Sequence, residues 1–376
     1  MAVVAEPARA PKWVRIVVVP LVNLVLAFFV TGLVVLAIGE DPFEVMRLLI
    51  RGAFGYPEAI GYTLYYTTNF IFTGLAVAVA IHAGLFNIGG EGQAYIGGLG
   101  VGLACLYLDF LPMVIVLPLS IIAAALFGAA WAFIPAVLQA KRGSHIVITT
   151  IMFNFIASAL MVFLLGKVLI KPGQMSPESR QFEQHLFLPK IYEVLDPLGI
   201  SIGRSPLNLS FVWALICCVL VYLLIWRTRW GYEFRTVGQN ERAAVYGGIS
   251  PSRVTIVAML ISGALAGFMG INEIMGVNHR LLLNFTAGYG FVGIAVALMG
   301  RNHPVGIALA ALLFGGLTQG VSEVPFDIPA IDREMQQVIQ GLLILFAGAL
   351  EYMVRPHVER AYVLVFGGRR RLEATE

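Results

Sequence analysis

The chain has 376 residues and a net charge of +3, with 59% of residues hydrophobic and only 12% charged. A soluble domain carries about 25% charged residues, so this composition, with a mean hydropathy of +0.83, excludes an ordinary soluble fold. It reads as an all-α, polytopic bundle of about ten transmembrane helices.

A basic tail, residues 1–15, carries Arg9, Lys12 and Arg15. The apolar run Ile16 to Ile38 then spans 23 residues. That exceeds a signal-peptide core of about 7–15 residues and suffices to cross a bilayer, which takes about 20. Further spans are expected near 60–82, 86–108, 112–139, 145–167, 206–226, 253–275, 286–301, 304–323 and 333–353. Together 16–353 form one transmembrane domain, followed by a tail over 354–376. The segments 86–108 and 286–301 are short or glycine-rich, so either can be broken or re-entrant.

Charge placement sets the orientation. With both termini in the cytoplasm, the inside segments hold 16 of the 25 Lys and Arg, as the positive-inside rule requires. Five of the nine outside cations lie in one long extracytoplasmic loop, 167–206, where the rule weighs them little. That loop either forms a small cap or packs on its neighbours. The largest inside loop, 227–253, is too polar to span.

The three cysteines lie in apolar runs and read as core side chains. The only Gly-Lys pair, Gly166-Lys167, lacks the context of a phosphate loop, so nucleotide hydrolysis would have to come from a partner. Glu91 is the clear intramembrane carboxylate, and such groups are normally paired or line a cavity. Glu273 and Glu323 are expected at the outer ends of their helices, solvated. His82, His145 and His303 fall near inner ends, far apart in sequence, and suggest no hydrolase.

Within the span, "GLFNIGGEGQAYIGGLGVG" (84–102) has eight glycines among nineteen residues. Its Phe86, Asn87, Glu91 and Gln93 either fix a helix break or face a solute path. Asn69 and Asn154 are amides inside spans, able to bind a solute or to bridge helices. Tyr65, Tyr66 and Phe155 either stack on a base or pack. Gly263-x-x-x-Gly267 and Gly316-x-x-x-Gly320 allow close helix approach. In the inside loop, Gln239 to Gly247 is predicted to form about two helical turns. Ala243, Ala244 and Gly247 would share a small-residue face, with Glu241 and Arg242 turned outward, and Gly247-Gly248 would end the helix. Such a helix either docks into another protein or is an ordinary solvated loop.

Three blocks, "GLFNIGGEGQ" (84–93), "GQNERAAVYGGI" (238–249) and "GYGFVGIAVALMGRNHPVG" (288–306), together resemble the membrane permeases of bacterial ABC importers. The family is the one that serves ribose and other simple sugars, branched-chain amino acids and nucleosides. The resemblance implies that Gly238, Gln239, Asn240, Glu241, Ala243, Ala244, Gly247 and Ile249 belong to a coupling helix gripped by an ABC ATP-binding subunit. It implies an inner-membrane importer with two permease subunits and an extracytoplasmic substrate-binding protein. This chain would be no enzyme and hold no cofactor, with ATP and Mg bound by the partner. The long fifth-to-sixth loop and "ITTIMFNFIA" (148–157) look most like the long permease of nucleoside importers, which pairs with a shorter one. A simple sugar or a vitamin-like heterocycle is the alternative. An ion-coupled carrier working through Glu91 is the rival mechanism.

Overall fold

The computed structural model describes residues 11, 18–196, 199, 203–328, 330, 331, 335, 337–342, 345, 354 and 356–362. The helices are α1 (Val19–Ile38), α2 (Pro42–Phe54), α3 (Pro57–His82), α4 (Gly90–Tyr107), α5 (Met113–Arg142), α6 (Ile146–Phe163) and α7 (Ile191–Leu195). They continue with α8 (Ser210–Arg227), α9 (Arg229–Gln239), α10 (Glu241–Tyr246), α11 (Pro251–Gly267), α12 (Tyr289–Met299) and α13 (Pro304–Asp327). Among the described residues, six of these spans are long and apolar enough to cross a membrane. No strand is present among them, only an isolated bridge between Lys190 and Asn208. The expected tail 1–15 and most of the tenth span, 333–353, lie outside the described residues.

Contacts divide the chain into two units, residues 1–49 with 321–376, and residues 50–320. In the first, α1 ends at Gly39, whose φ of 96° reverses the chain. A helix follows where sequence reading expects only a loop. The Asp41 carboxylate accepts the Phe43 N–H at 2.8 Å, and Val45 and Leu49, one turn apart, are both buried. At 13 residues α2 is about 20 Å long, too short to cross.

The second unit has a centre and a rim. α3, α4 and α11 are largely buried, while most side chains of α5, α6 and α8 look outward. Glycine makes the tight centre possible. A Cβ on Gly263 would strike the Gly128 carbonyl, and one on Gly267 the Ala124 carbonyl. The Gly263-x-x-x-Gly267 pair thus seats α11 against the backbone of α5, as expected.

Beyond α11 the helix continues as a π-helix over Ile271–Asn278. The wider turn brings both Asn272 and Glu273 into the interior. The helix runs three residues past the expected end at 275, and the solvated reading of Glu273 is wrong, since it is 4% exposed. Glu323 is half-buried.

The loop 167–206 packs on its neighbours. Its backbone runs beside 275–281, with Ser179 N donating to the Leu281 carbonyl (3.1 Å), Phe182 N to His279 (2.8 Å) and Leu188 N to Met275 (3.1 Å). Arg180 pairs with Asp109 at 2.6 Å, and the Phe187 ring stacks on His279 at 3.7 Å.

Candidate functional site: two interrupted crossings and a buried polar chain

The quoted glycine segment is a break. α3 ends at His82, residues 84–89 return without helical structure, and α4 begins only at Gly90. Side-chain amides carry the backbone through this gap. Asn87 and Gln93 exchange two hydrogen bonds, at 2.9 and 3.1 Å. Asn87 also accepts Gly89 N at 2.9 Å and donates to Ser262 Oγ at 2.9 Å. Ser262 Oγ in turn donates to the Ala76 carbonyl at 2.6 Å. From α6, Asn154 accepts Gly92 N (2.9 Å) and donates to the Ile88 carbonyl (3.0 Å). A buried backbone group left unpaired costs about as much as a lost hydrogen bond; here two amides from outside the backbone meet that need.

A second break answers the first. Between the π-helix and α12, residues 279–288 form turns, with φ of 53° at His279, 56° at Asn284, 46° at Ala287 and 81° at Gly288. The segment runs down α4: Leu281 covers Gly102 and Phe285 covers Gly98. The Tyr95 hydroxyl accepts Asn284 N at 2.9 Å. Helix α12 then starts where α4 starts. The two oxygens of Glu91 accept Gly288 N at 2.9 Å and Gly290 N at 2.8 Å. A carboxylate at a helix N-terminus satisfies free N–H groups and opposes the helix dipole. Glu91 is thus the clasp between two interrupted crossings.

A third feature is absent from the expected set. The Tyr65 hydroxyl (2.5 Å) and Asn69 Nδ2 (2.6 Å) both donate to Glu273 Oε1, and Asn278 Nδ2 reaches Oε2 at 3.5 Å. Asn69 Oδ1 accepts from Asn272 at 2.8 Å. Asn272 Oδ1 in turn accepts from Asn208 at 2.8 Å and from Ser210 Oγ at 2.9 Å. This chain of neutral donors joins α3, the π-helix and the start of α8 with each buried polar group partnered, the condition for burying such groups at all. Of the sequence candidates it takes in only Asn69 and Tyr65. The pair "NE" at 272–273, inside the expected span 253–275, was the available signal; it was read as a solvated outer end. Phe155 lies on the outward face of α6, 66% exposed, away from the polar chain.

The candidate coupling segment forms two helices. Asn240 both ends and begins them: its N–H bonds the Thr236 carbonyl at 3.0 Å, and its side chain accepts Ala243 N at 3.0 Å. The predicted two turns are a six-residue helix preceded by the eleven of α9. The predicted small-residue face is not shared. Ala244 is fully buried, whereas Ala243 and Gly247 are exposed. Gln239 and Glu241 are also exposed and Ile249 is half-buried. The surface shows instead Tyr246, 94% exposed, and Val245, 57%. With six residues, α10 turns Ala244 inward and these two outward.

Gly238 lies against the backbone of residues 82–84, and a Cβ there would strike the His82 carbonyl. A polar cavity of about 210 Å³ adjoins this contact, lined by Gly84, Gln139, Gly238, Glu241, Ser252 and Thr255 among others. His82 Nε2 meets the Asn302 carbonyl at 3.0 Å. Trp226 sits between His82 and His303, its centroid 5.2 and 4.9 Å from theirs. Two histidines distant in sequence are thus neighbours, joining the coupling segment to the far end of α12.

Interrupted helices around a buried polar chain, with a short exposed helix pair beside them, are the frame of a membrane permease. The chain belongs to the family of branched-chain amino acid transport system permease components, matched over residues 59–348, and is a multi-pass protein of the bacterial inner membrane. It is 35% identical to the guanosine ABC transporter permease protein NupP of Bacillus subtilis (strain 168), over 90% of this chain and 94% of that one. The nucleoside ABC transporter permease protein NupB of Lactococcus lactis subsp. cremoris (strain MG1363) is 33% identical, over 92% and 94%. The glucose ABC transporter permease protein TsgB13 of Haloferax volcanii is 34% identical, over 95% and 93%. The same Lactococcus and Bacillus strains carry NupC and NupQ, 29% and 26% identical over 70% and 75% of this chain. No solved structure matches.

Proposed function

We propose that this chain is the long permease subunit of an ATP-driven nucleoside importer. The observation that carries the reading is similarity along nearly the whole chain to permeases named for guanosine and nucleosides. Each of those has a second nucleoside permease in its own organism, which supports a heterodimeric pairing here. ATP and Mg bind an ABC subunit, and an extracytoplasmic binding protein delivers the solute. Both termini and the segment 227–253 face the cytoplasm, as the cation count supports.

In this reading α9 and α10 receive the ATPase, with Val245 and Tyr246 as the apolar anchor. Movement passes through Gly238 to residues 82–84 and the 84–89 break, and through His82 to Asn302 and α12. The test is uptake by proteoliposomes holding the full transporter, with labelled guanosine and labelled glucose compared. ATP-dependent uptake of guanosine is expected. Uptake of glucose instead would favour a sugar importer, the reading that the similarity to TsgB13 supports. Uptake by this chain alone, driven by an ion gradient, would refute both.

Tyr246→Ala bears on the coupling role. It should reduce ATPase association and uptake several-fold with insertion unchanged, as truncating an exposed aromatic anchor does at other interfaces.

A further inference from the structure

Most outward-facing side chains of the rim helices are what lipid requires. On α6 they include Ile148, Met152 and Ile156; on α8 they include Val212, Ile216 and Val219. One other surface breaks this pattern. On α3, Tyr62 is 40% exposed and Tyr66, one turn on, is half-buried. The Tyr66 ring meets Tyr289 edge-on at 6.1 Å. Tyr289 follows Gly288, whose N–H is held by the half-buried carboxylate of Glu91. Tyr62 one helical turn from Tyr66, the Tyr66–Tyr289 ring contact and the Glu91 bonds on either side of Tyr289 place these four residues in a lane, rings first and the acid last.

The lane lies at mid-depth. α3 has 26 residues, about 39 Å at 1.5 Å per residue, and Tyr66 sits about 13 Å along it. Tyr289 packs edge-on against Phe70, 5.5 Å away, near the middle of α3. A partly exposed carboxylate at that depth does not face hydrocarbon; it faces water or protein.

We propose that Tyr62, Tyr66, Tyr289 and Glu91 form this subunit's wall of the solute route, completed by the second permease, and that the wall takes a flat, uncharged heterocycle bearing hydroxyls. This rests on the nucleoside-importer reading above. Rings at mid-depth offer stacking faces without demanding one particular base, since every base has a π-face. Each Glu91 oxygen accepts one backbone N–H and keeps a lone pair for a solute hydroxyl. The same carboxylate occupies the α12 N-terminus, where an anionic solute would otherwise be held. A phosphorylated nucleoside is therefore repelled where the plain nucleoside passes.

The experiment uses the full transporter in proteoliposomes, with Cys218→Ala as background because that thiol is half-exposed while Cys105 and Cys217 are buried. Thiols introduced singly by Tyr62→Cys, Tyr66→Cys and Val219→Cys are treated with a charged maleimide, with and without guanosine. Labelling at the first two positions, slowed at least three-fold by guanosine, and none at Val219 is the expected result. Silence at both tyrosine positions, or labelling that guanosine does not slow, overturns the proposal. In parallel, Tyr66→Leu should lower guanosine uptake about ten-fold, in the range of one lost base–ring stack, while Tyr66→Phe keeps most of it. Equal losses in the two would also overturn it. ATP-driven guanosine uptake by the transporter without these substitutions is read separately. Its absence defeats the importer reading, whereas normal uptake without protection defeats the lane alone.

Discussion

The two interrupted crossings meet at Glu91 yet are built from different materials. The first, 84–89, is held by side chains: Asn87 and Asn154 bond the backbone around the gap, and Gln93 braces Asn87. The second, 279–288, leans on backbone shape, with four residues at positive φ and backbone hydrogen bonds from the 167–206 loop to His279 and Leu281, its end being held by Tyr95 and Glu91. A break made by amides is rigid locally. A break made by turns depends on distant chain packing over it. The second crossing is thus the better placed of the two to move when the coupling segment shifts.

The largest effects should come at the two buried or half-buried acids, Glu273 in the polar chain and Glu91 between the crossings. Glu273→Leu strands the Tyr65 hydroxyl and the Asn69 amide in the interior, a loss of about 3 kcal/mol at about 1–3 kcal/mol per unpaired group. Denaturation in detergent should show it, while Glu273→Gln, which keeps an acceptor, should cost under half as much. Glu91→Ala removes two charge-assisted bonds at the α12 N-terminus, costing about 2 kcal/mol, and Glu91→Gln about half that. If the crossings are as unlike as they look, thiol labelling after Glu91→Ala should rise in 284–290 and not in 84–89. Next come the amides. Asn87→Ala and Gln93→Ala should each cost about 1–2 kcal/mol, and the double variant clearly less than their sum, because the two share one reciprocal pair. A strictly additive result would show that the pair does not act as a unit.

The first crossing was legible because its devices are residue types. Glycines, two amides and an acid in an apolar run state that a helix stops and something polar takes over. The second was legible only as a weak span. Its geometry rests on φ values at Asn284 and Ala287 and on packing against Gly98 and Gly102, and nothing in "LLLNFTAGYG" spells those out. Glu273 was missed for a related reason. A π-helix adds a residue without changing composition, so Glu273, two residues before the expected end of the span, was read as a solvated terminus. The short helix α2 escaped because amphipathic helices too short to cross leave no hydropathy peak. In the coupling segment the location was readable, but the buried face was not. Whether Ala243 or Ala244 turns inward depends on where Asn240 starts the helix.

The smallest effect tests the second crossing where no side-chain contact is involved. Ala287 holds a φ of 46°, and a residue with a Cβ loses roughly 1–2 kcal/mol in that region. Glycine removes this strain but gives the unfolded chain more freedom, about 0.4–1 kcal/mol against it. Ala287→Gly should therefore be neutral or stabilise by up to about 1.5 kcal/mol. The same change at Ala76, a fully buried helical residue of α3, should destabilise by about 1 kcal/mol or more. Opposite signs would show that the second crossing is set by backbone conformation. Equal destabilisation at both would mean that the turn is held by packing of the Ala287 methyl, and the contrast between the two crossings would fall.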